Sequence, residues 1–446
     1  MSEEALRQMD LPIALGDGLV LRRAETDRDV ERIVELAERV FADEDEGGTI
    51  ALWIRSLTGG NHPTTMRSDF CLVEDMSRRQ FVSSMCLIPQ TWAYEGVPFG
   101  VGRPELVATL PGYRRRGLIR AQFEALHADC AARGLPVQAI TGIPYFYRQF
   151  GYEYALDLGG GLRGLYFDHI PKLEEAQTEP YAARRMTEDD LAEVMALHRA
   201  FAADKMIACR RDETYWRFAL SEERHPSSET LYALVETDGG RLAGYFSVPT
   251  ETWGPWLPIN ALVLADGASY LAVMPSLLRA LRSLAEIEHA KPGKPVRQLS
   301  FSLGREHPAY DVLRAYECVE EPPYGWYLRV ADLAAFIRRI TPALEARLAT
   351  SPVSGYSGEL KIDFYYKSGL RLKLEDGSLA EAENTGPGVA KPHAGFPPLV
   401  FLKLLFGYRS LEELRHAFPD VWANREGRLL LGALFPKRLS WVAPLH

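Results

Sequence analysis

One order of elements runs twice through the first 300 residues, and nothing else in the sequence constrains the fold as tightly. A β-favouring run, "LVLRRA" (19–24), leads into "ETDRDVERIVELAERVF" (25–41), where Val30, Ile33, Val34, Leu36 and Val40 recur at helical spacing behind an acidic first turn. The stretch "TIALWIRSLT" (49–58) predicts a second helix. Strands are expected at 70–75, 80–92 and 103–110. A helix follows with Ile119, Phe123, Leu126 and Cys130 on one face, closed by Gly134 and Pro136, and then a buried strand over 136–143. After a polar linker at 172–180, "YAARRMTEDDLAEVMALHRAF" starts the strand-then-helix order again. "SETLYALVET", "GRLAGYFSVP" and "INALVLAD" supply strands, and "MPSLLRALRSLAEIEH" supplies a helix. The second copy repeats the element order, not the residues.

A third unit begins near 329. "VADLAAFIRRITPALEARL" carries an apolar stripe of Leu333, Phe336, Ile337, Ile340 and Leu344, with Pro342 expected to bend it. "GELKIDFYY" and "RLKLED" alternate as strands, "EAENTGPGVAKPHAGFPP" reads as a Gly/Pro-rich loop, and the remainder reads as helical and apolar. The predicted fold class is therefore α/β (α+β): two tandem mixed-sheet domains, residues 1–172 and 173–328, and a C-terminal α+β domain, residues 329–446.

Composition narrows the function classes. Apolar content of 47% supports packed cores throughout the 446 residues, and no apolar run approaches the ~20 residues that cross a bilayer. The polar start "MSEEALRQMD" does not resemble a targeting segment, and the five scattered cysteines fit reduced thiols. A cytoplasmic protein without membrane association is expected. The formal charge of −9 argues against a general nucleic-acid binder.

Against that acidic background, "LPGYRRRGLIR" sets four arginines around a glycine between a strand and a helix. The first-turn amides of a helix lack partners and carry the positive end of its dipole; a glycine lets a phosphate approach, and arginines add charged hydrogen bonds. The competing readings are a solvated basic face and a nucleic-acid patch. The segment does not match the G-x-x-x-x-G-K-[ST] phosphate loop. "GGGLRG" (159–164) has the spacing of a dinucleotide fingerprint, but the following "LYFDHIPKL" opens no helix, so a glycine-rich strand or turn is expected. Neither clustered metal ligands nor a G-x-S-x-G elbow occurs, so no metal is expected.

The R-x-x-G of Arg114–Gly117, after a strand ending Val107, Ala108, Thr109, together with "PYFYRQFGY" (144–152), resembles the two hallmarks of the GNAT N-acetyltransferases. With the second α/β copy and the last unit, the whole chain resembles the enhanced-intracellular-survival (Eis-like) acetyltransferases. Those have a catalytic GNAT domain, a degenerate GNAT domain and a sterol-carrier-like domain.

The resemblance implies acetyl transfer from acetyl-CoA to a primary amine, such as an aminoglycoside, polyamine or lysine-type acceptor, by a homo-oligomer. The alternative on the same scaffold is a non-catalytic acyl-CoA sensor or lipid carrier. Coenzyme contacts would fall to Val107, Ala108 and Thr109, to Arg115, Arg116, Gly117, Leu118, Ile119 and Arg120, and to Gly142 and Ile143. Tyr147 matches the family's general acid, with Tyr145 its rival. His446, bearing the terminal carboxylate, stands where the family places its base. Asp43 and Glu46 of the "DEDE" run are either a solvated helix end or an acidic rim for the amine, and Trp53 is either core or pocket.

Overall fold

The computed structural model describes residues 11–41, 49–221, 229–250, 252, 254–289 and 295–442. In the first unit, β1 (Ile13–Gly16), β2 (Leu19–Arg23), β3 (Phe70–Asp75), β4 (Gln80–Tyr94) and β5 (Val97–Thr109) pair antiparallel in chain order, and β6 (Val137–Ile140) adds parallel to β5. Helices α1 (Asp27–Val40) and α2 (Thr49–Thr58) cover one face, and α3 (Leu118–Ala132) covers the other. Helix α1 starts at Thr26, whose side chain accepts the Asp29 amide while the Asp29 carboxylate accepts the Thr26 amide. Arg22 clamps that carboxylate at 2.6 Å and Glu74 at 2.8 Å, fixing the helix start over β2 and β3.

The following strands do not stay with their neighbours in sequence. The chain forms β7 (Glu153–Leu158) and β8 (Gly161–Tyr166). It then runs through β9 (Tyr181–Arg185), α4 (Leu191–Ala202), β10 (Ile207–Cys209), α5 (Glu213–Leu220), β11 (Glu229–Glu236), β12 (Leu242–Pro249), β13 (Trp256–Ile259), β14 (Ala261–Leu264) and α6 (Tyr270–Ile287). After these come β15 (Gln298–Phe301), α7 (Ala309–Leu313), β16 (Val319–Glu321) and β17 (Tyr324–Val330).

Strand β17, which follows the second unit, inserts between β6 and β7 of the first sheet. Strand β8, which precedes that unit, inserts between β15 and β16 of the second. The two units have exchanged strands. Trp326, Tyr327 and Leu328 of β17 are fully buried, as a strand enclosed on both faces requires. The boundaries expected at 172/173 and 328/329 therefore cut across this exchange, and the first sheet needs residues from both sides of the second unit. The predicted continuous strand at "INALVLAD" is also divided: β13 pairs with β15, β14 pairs with β12, and Asn260 lies between.

The second unit reaches into the first once more, through β10, which pairs with β4 at Ile207↔Tyr94 to Cys209↔Trp92. The third unit contains α8 (Leu333–Arg339), α9 (Thr341–Ala349), β18 (Gly358–Asp363), β19 (Gly369–Glu375) and β20 (Ser378–Thr385). These are followed by β21 (Ala394–Gly395), α10 (Phe401–Leu405), α11 (Leu411–Ala417), β22 (Trp422–Ala423) and α12 (Arg425–Leu434). Pro342 opens α9 instead of bending one long helix, since its ring suits a first-turn position. The predicted loop starts later than expected, because 378–385 pairs with β19.

This unit shares its core with the first sheet. Phe99 meets Phe336 edge-on at 5.2 Å, and the Tyr94 hydroxyl donates to the Leu405 carbonyl at 2.7 Å. Among the described residues no helix is long and apolar enough to cross a membrane.

Candidate active site

Between β5 and α3 the chain makes a tight polar loop. A short 3-10 turn over Pro111–Tyr113 satisfies the amides of Tyr113 and Arg114 through Leu110 and Pro111 carbonyls. Arg115 then takes φ +63° and Gly117 φ +76°, and α3 begins at Leu118, its first bonded amide being Ala121 to the Gly117 carbonyl. No acceptor serves the amides of Arg115, Arg116, Gly117, Leu118, Ile119 and Arg120 among the described residues.

Successive amides on alternating left-handed backbone form a concave anion site, and the helix end adds its dipole. A Cβ at Gly117 would meet nothing within 4 Å, so the glycine serves the left-handed turn and leaves open space above it. Around the rim, the Arg116 guanidinium pairs with Asp17 at 2.9 Å, and Arg120 lies over the Phe150 ring at 5.2 Å and reaches Gln149. The Arg115 side chain has no ion-pair partner among the described residues. The bare amides and surrounding guanidinium groups fit the pyrophosphate of acetyl-CoA.

Below this loop the sheet opens. β5 and β6 pair only at Val101↔Val137 and Gly102↔Gln138, then diverge. A bulge drives the divergence: β4 places Cys86 opposite Glu105 and Ser84 opposite Ala108, so β5 carries an extra residue, with Leu106 at φ +53°. Val107, Ala108 and Thr109 follow the bulge along the open edge of β5, while Gly142 and Ile143 continue beyond β6 on the opposite side. Ile143 is exposed, and the Tyr324 hydroxyl of the exchanged strand donates to the Gly142 carbonyl.

Tyr147 stands in this wedge. Its ring is buried among Phe123, Phe146, Tyr152 and Tyr327, and its hydroxyl lies against Gly142, where a Cβ would come within 3.6 Å. That hydroxyl forms no hydrogen bond among the described residues. Burial first, then the charge of Glu105, push the phenol well above its ordinary pKa. Tyr145, the rival, holds its ring largely in solvent at 71% exposure, and its amide donates to the Tyr327 hydroxyl.

Glu105 was missed by sequence reasoning. Its carboxylate is paired with Arg103 and side-chain exposure is 15%. The available signal was an acid inside an otherwise apolar strand, "ELVATL", but the bulge that follows it leaves no mark in the residue pattern.

Trp53, a residue of α2, packs partly buried against the first core and not in the wedge. Asp43, Glu46 and His446 lie outside the described residues.

The second unit has a matching divergence between β14 and β15, and Tyr310, second residue of α7, stands where Tyr147 stands in the first. Its hydroxyl is fully engaged: it accepts the Leu303 amide at 3.0 Å and faces the Phe301 and Gly160 carbonyls at 3.2 and 3.3 Å. Gly161 is obligatory beside it, since a Cβ there would fall 2.1 Å from that hydroxyl. His307 closes the wedge further, its Nε2 2.9 Å from the Leu262 carbonyl.

The family model for the acetyltransferase (GNAT) domain matches residues 21–155. No curated protein sequence matches the chain. Among solved structures, the chain resembles a conserved protein of Enterococcus faecalis described as a probable N-acyltransferase, at TM-score 0.68 and 16% identity over 96% of this chain and all of that one. A GCN5-related N-acetyltransferase of Anabaena variabilis gives TM-score 0.65 and 15% identity over 95% and 99%. Eis1 of Mycobacterium abscessus gives 0.59 and 15% over 95% and 98%. At these identities the likeness is one of fold, and it extends across all three units. Residues 21–155 match the acetyltransferase (GNAT) domain, and the chain carries that domain as the first of its three units.

Proposed function

We propose that the chain transfers the acetyl group of acetyl-CoA to a primary amine, on a small molecule or a lysine-type side chain, while both are bound together. The observation that carries this reading is the run of amides from Arg115 to Arg120, without acceptors among the described residues, above a wedge whose tyrosine hydroxyl makes no hydrogen bond to them. Acetyl-CoA supplies the activated acyl group.

The amides and Arg115 grip its phosphates, and the open edge at Val107–Thr109 together with Gly142 and Ile143 aligns the thioester arm. Holding the two reactants in register accounts for much of the acceleration. An amine with a pKa near 10.4 arrives protonated, and Glu105 is the carboxylate beside the wedge that can take that proton. Burial is the main reason the Tyr147 phenol is held up; proton uptake by Glu105 removes the smaller contribution of its negative charge and so brings the phenol somewhat closer to donating to the departing thiolate. The second unit, with Tyr310 and His307 occupying its own wedge, serves as scaffold.

Thiol release from acetyl-CoA with a panel of amines tests the proposal. Saturable release with one amine class, abolished in Glu105→Gln, supports it; coenzyme binding with no release for any amine would favour an acyl-CoA sensor.

A further inference from the structure

A cavity of about 550 Å³ lies between the first and second units, walled by Ile88 and Gln90 of β4 on one side and by α4, Cys209–Arg211 and the start of α5 on the other. It backs onto the reacting centre. Ile88 and Gln90 stand directly opposite Arg103 and Val101 in the β4–β5 ladder, Arg103 holds Glu105, and Glu105 acts electrostatically on Tyr147.

The cavity's most unusual group is Arg211. Its side chain is only 4% exposed, yet among the described residues its nearest carboxylate, Glu229, is 3.8 Å away, and its Nε has no hydrogen-bond partner there. A structural arginine in the same unit looks different: Arg184 grips both oxygens of Asp190 at 2.7 Å. Burying a guanidinium without a tight partner is costly, and the rings of Tyr215 and Trp216, at 5.5 and 5.4 Å, compensate only in part.

Apart from Glu229, the described charges that line the cavity do not neutralise it. Arg199 and Arg210 also line the cavity without ion-pair partners among the described residues. Of the two acids there, Asp212 caps α5 by accepting the Tyr215 amide, and Glu213 is bonded to Arg217. The site is cationic, partly open to solvent and one strand away from the acetyl-transfer wedge.

We propose that Arg211 is a specificity-determining residue that binds a carboxylate on the acceptor, so that the preferred substrates are amines carrying a carboxylate at their other end. This rests on the acetyl-transfer reading above. A planar guanidinium recognises a carboxylate through parallel charged hydrogen bonds, and the volume suits a small amino acid or a short peptide.

The test compares amino acids and dipeptides with their own C-terminal amides as acceptors for the full-length protein. We expect kcat/KM for the acid to exceed that for the amide at least tenfold, mainly through KM, and this ratio to collapse toward one in Arg211→Gln. A ratio near one in the wild type, or a preference for the amide, overturns the proposal while leaving acetyl transfer intact. Because Arg211→Gln could weaken folding, thermal shift of the wild type by the same acid and amide pairs provides a second readout. Stabilisation by the acid alone supports the site, and equal response to both members of each pair overturns it. This binding readout stands even if no acceptor is turned over or coenzyme fails to bind, the outcomes that would sink the acetyl-transfer reading itself.

Discussion

Tyr147 and Tyr310 occupy matching places in the two units, so removing the hydroxyl from each in turn separates chemistry from scaffold. The Tyr147 hydroxyl makes no hydrogen bond among the described residues, so Tyr147→Phe should change folding stability by no more than about 0.5 kcal/mol, the ring remaining in its aromatic cluster. Losing a positioned proton donor costs roughly 10²- to 10⁴-fold in rate, or about 3–5 kcal/mol of barrier. Tyr310→Phe has the reverse effect. It leaves the buried Leu303 amide without its 3.0 Å acceptor, a loss of about 1–3 kcal/mol, and touches nothing in the first wedge. Urea unfolding and thiol release on both variants read the two effects. If Tyr147→Phe keeps its turnover within threefold, the phenol is not the acid. If Tyr310→Phe loses turnover while its stability holds, the second unit is not a scaffold.

Gly117→Ala should weaken coenzyme binding by about 1 kcal/mol, roughly fivefold in Kd by calorimetry, because alanine resists φ +76° although its methyl has room. A chain truncated after residue 160 should not fold by circular dichroism, since it lacks β17 and with it the buried Trp326, Tyr327 and Leu328. Burial lowers the imidazoles of His127, His198 and His307 to about 3, 3 and 4. The unfolded chain, with pKa near 6.5, then binds more protons, so their contribution is complete above pH ~6.5 and is lost as pH falls toward 3–4. Thermal melts between pH 7 and 4.5 should show that decline, and His127→Gln should flatten it.

How much of this was legible in the sequence depended on whether a feature is local. The arginine loop was readable because a strand end, a glycine and a helix start adjoin one another, and the amides from Arg115 to Arg120 follow from that order. The position of Tyr147 beside Gly142 agrees with its spacing from Gly151, while its role is a proposal. The exchange of β8 and β17 was not readable: "YGWYLRV" has the pattern of a buried strand, but a pattern does not say which of two similar sheets it completes. Glu105 and Arg211 were invisible for a related reason. One depends on a bulge set by pairing with β4, the other on how two units meet, and neither is encoded in neighbouring residues. Pro342 was misplaced because a proline reads alike as a kink and as a helix start.

Hydrogen exchange of the segment 112–121, with and without coenzyme A, tests whether the amides of Arg115–Arg120 hold the coenzyme phosphates. That role predicts fast exchange at Arg115–Arg120 in the free protein and strong protection once coenzyme binds, with the matching segment before α6 in the second unit unchanged. Coenzyme binding that leaves 112–121 exchanging as before would contradict it.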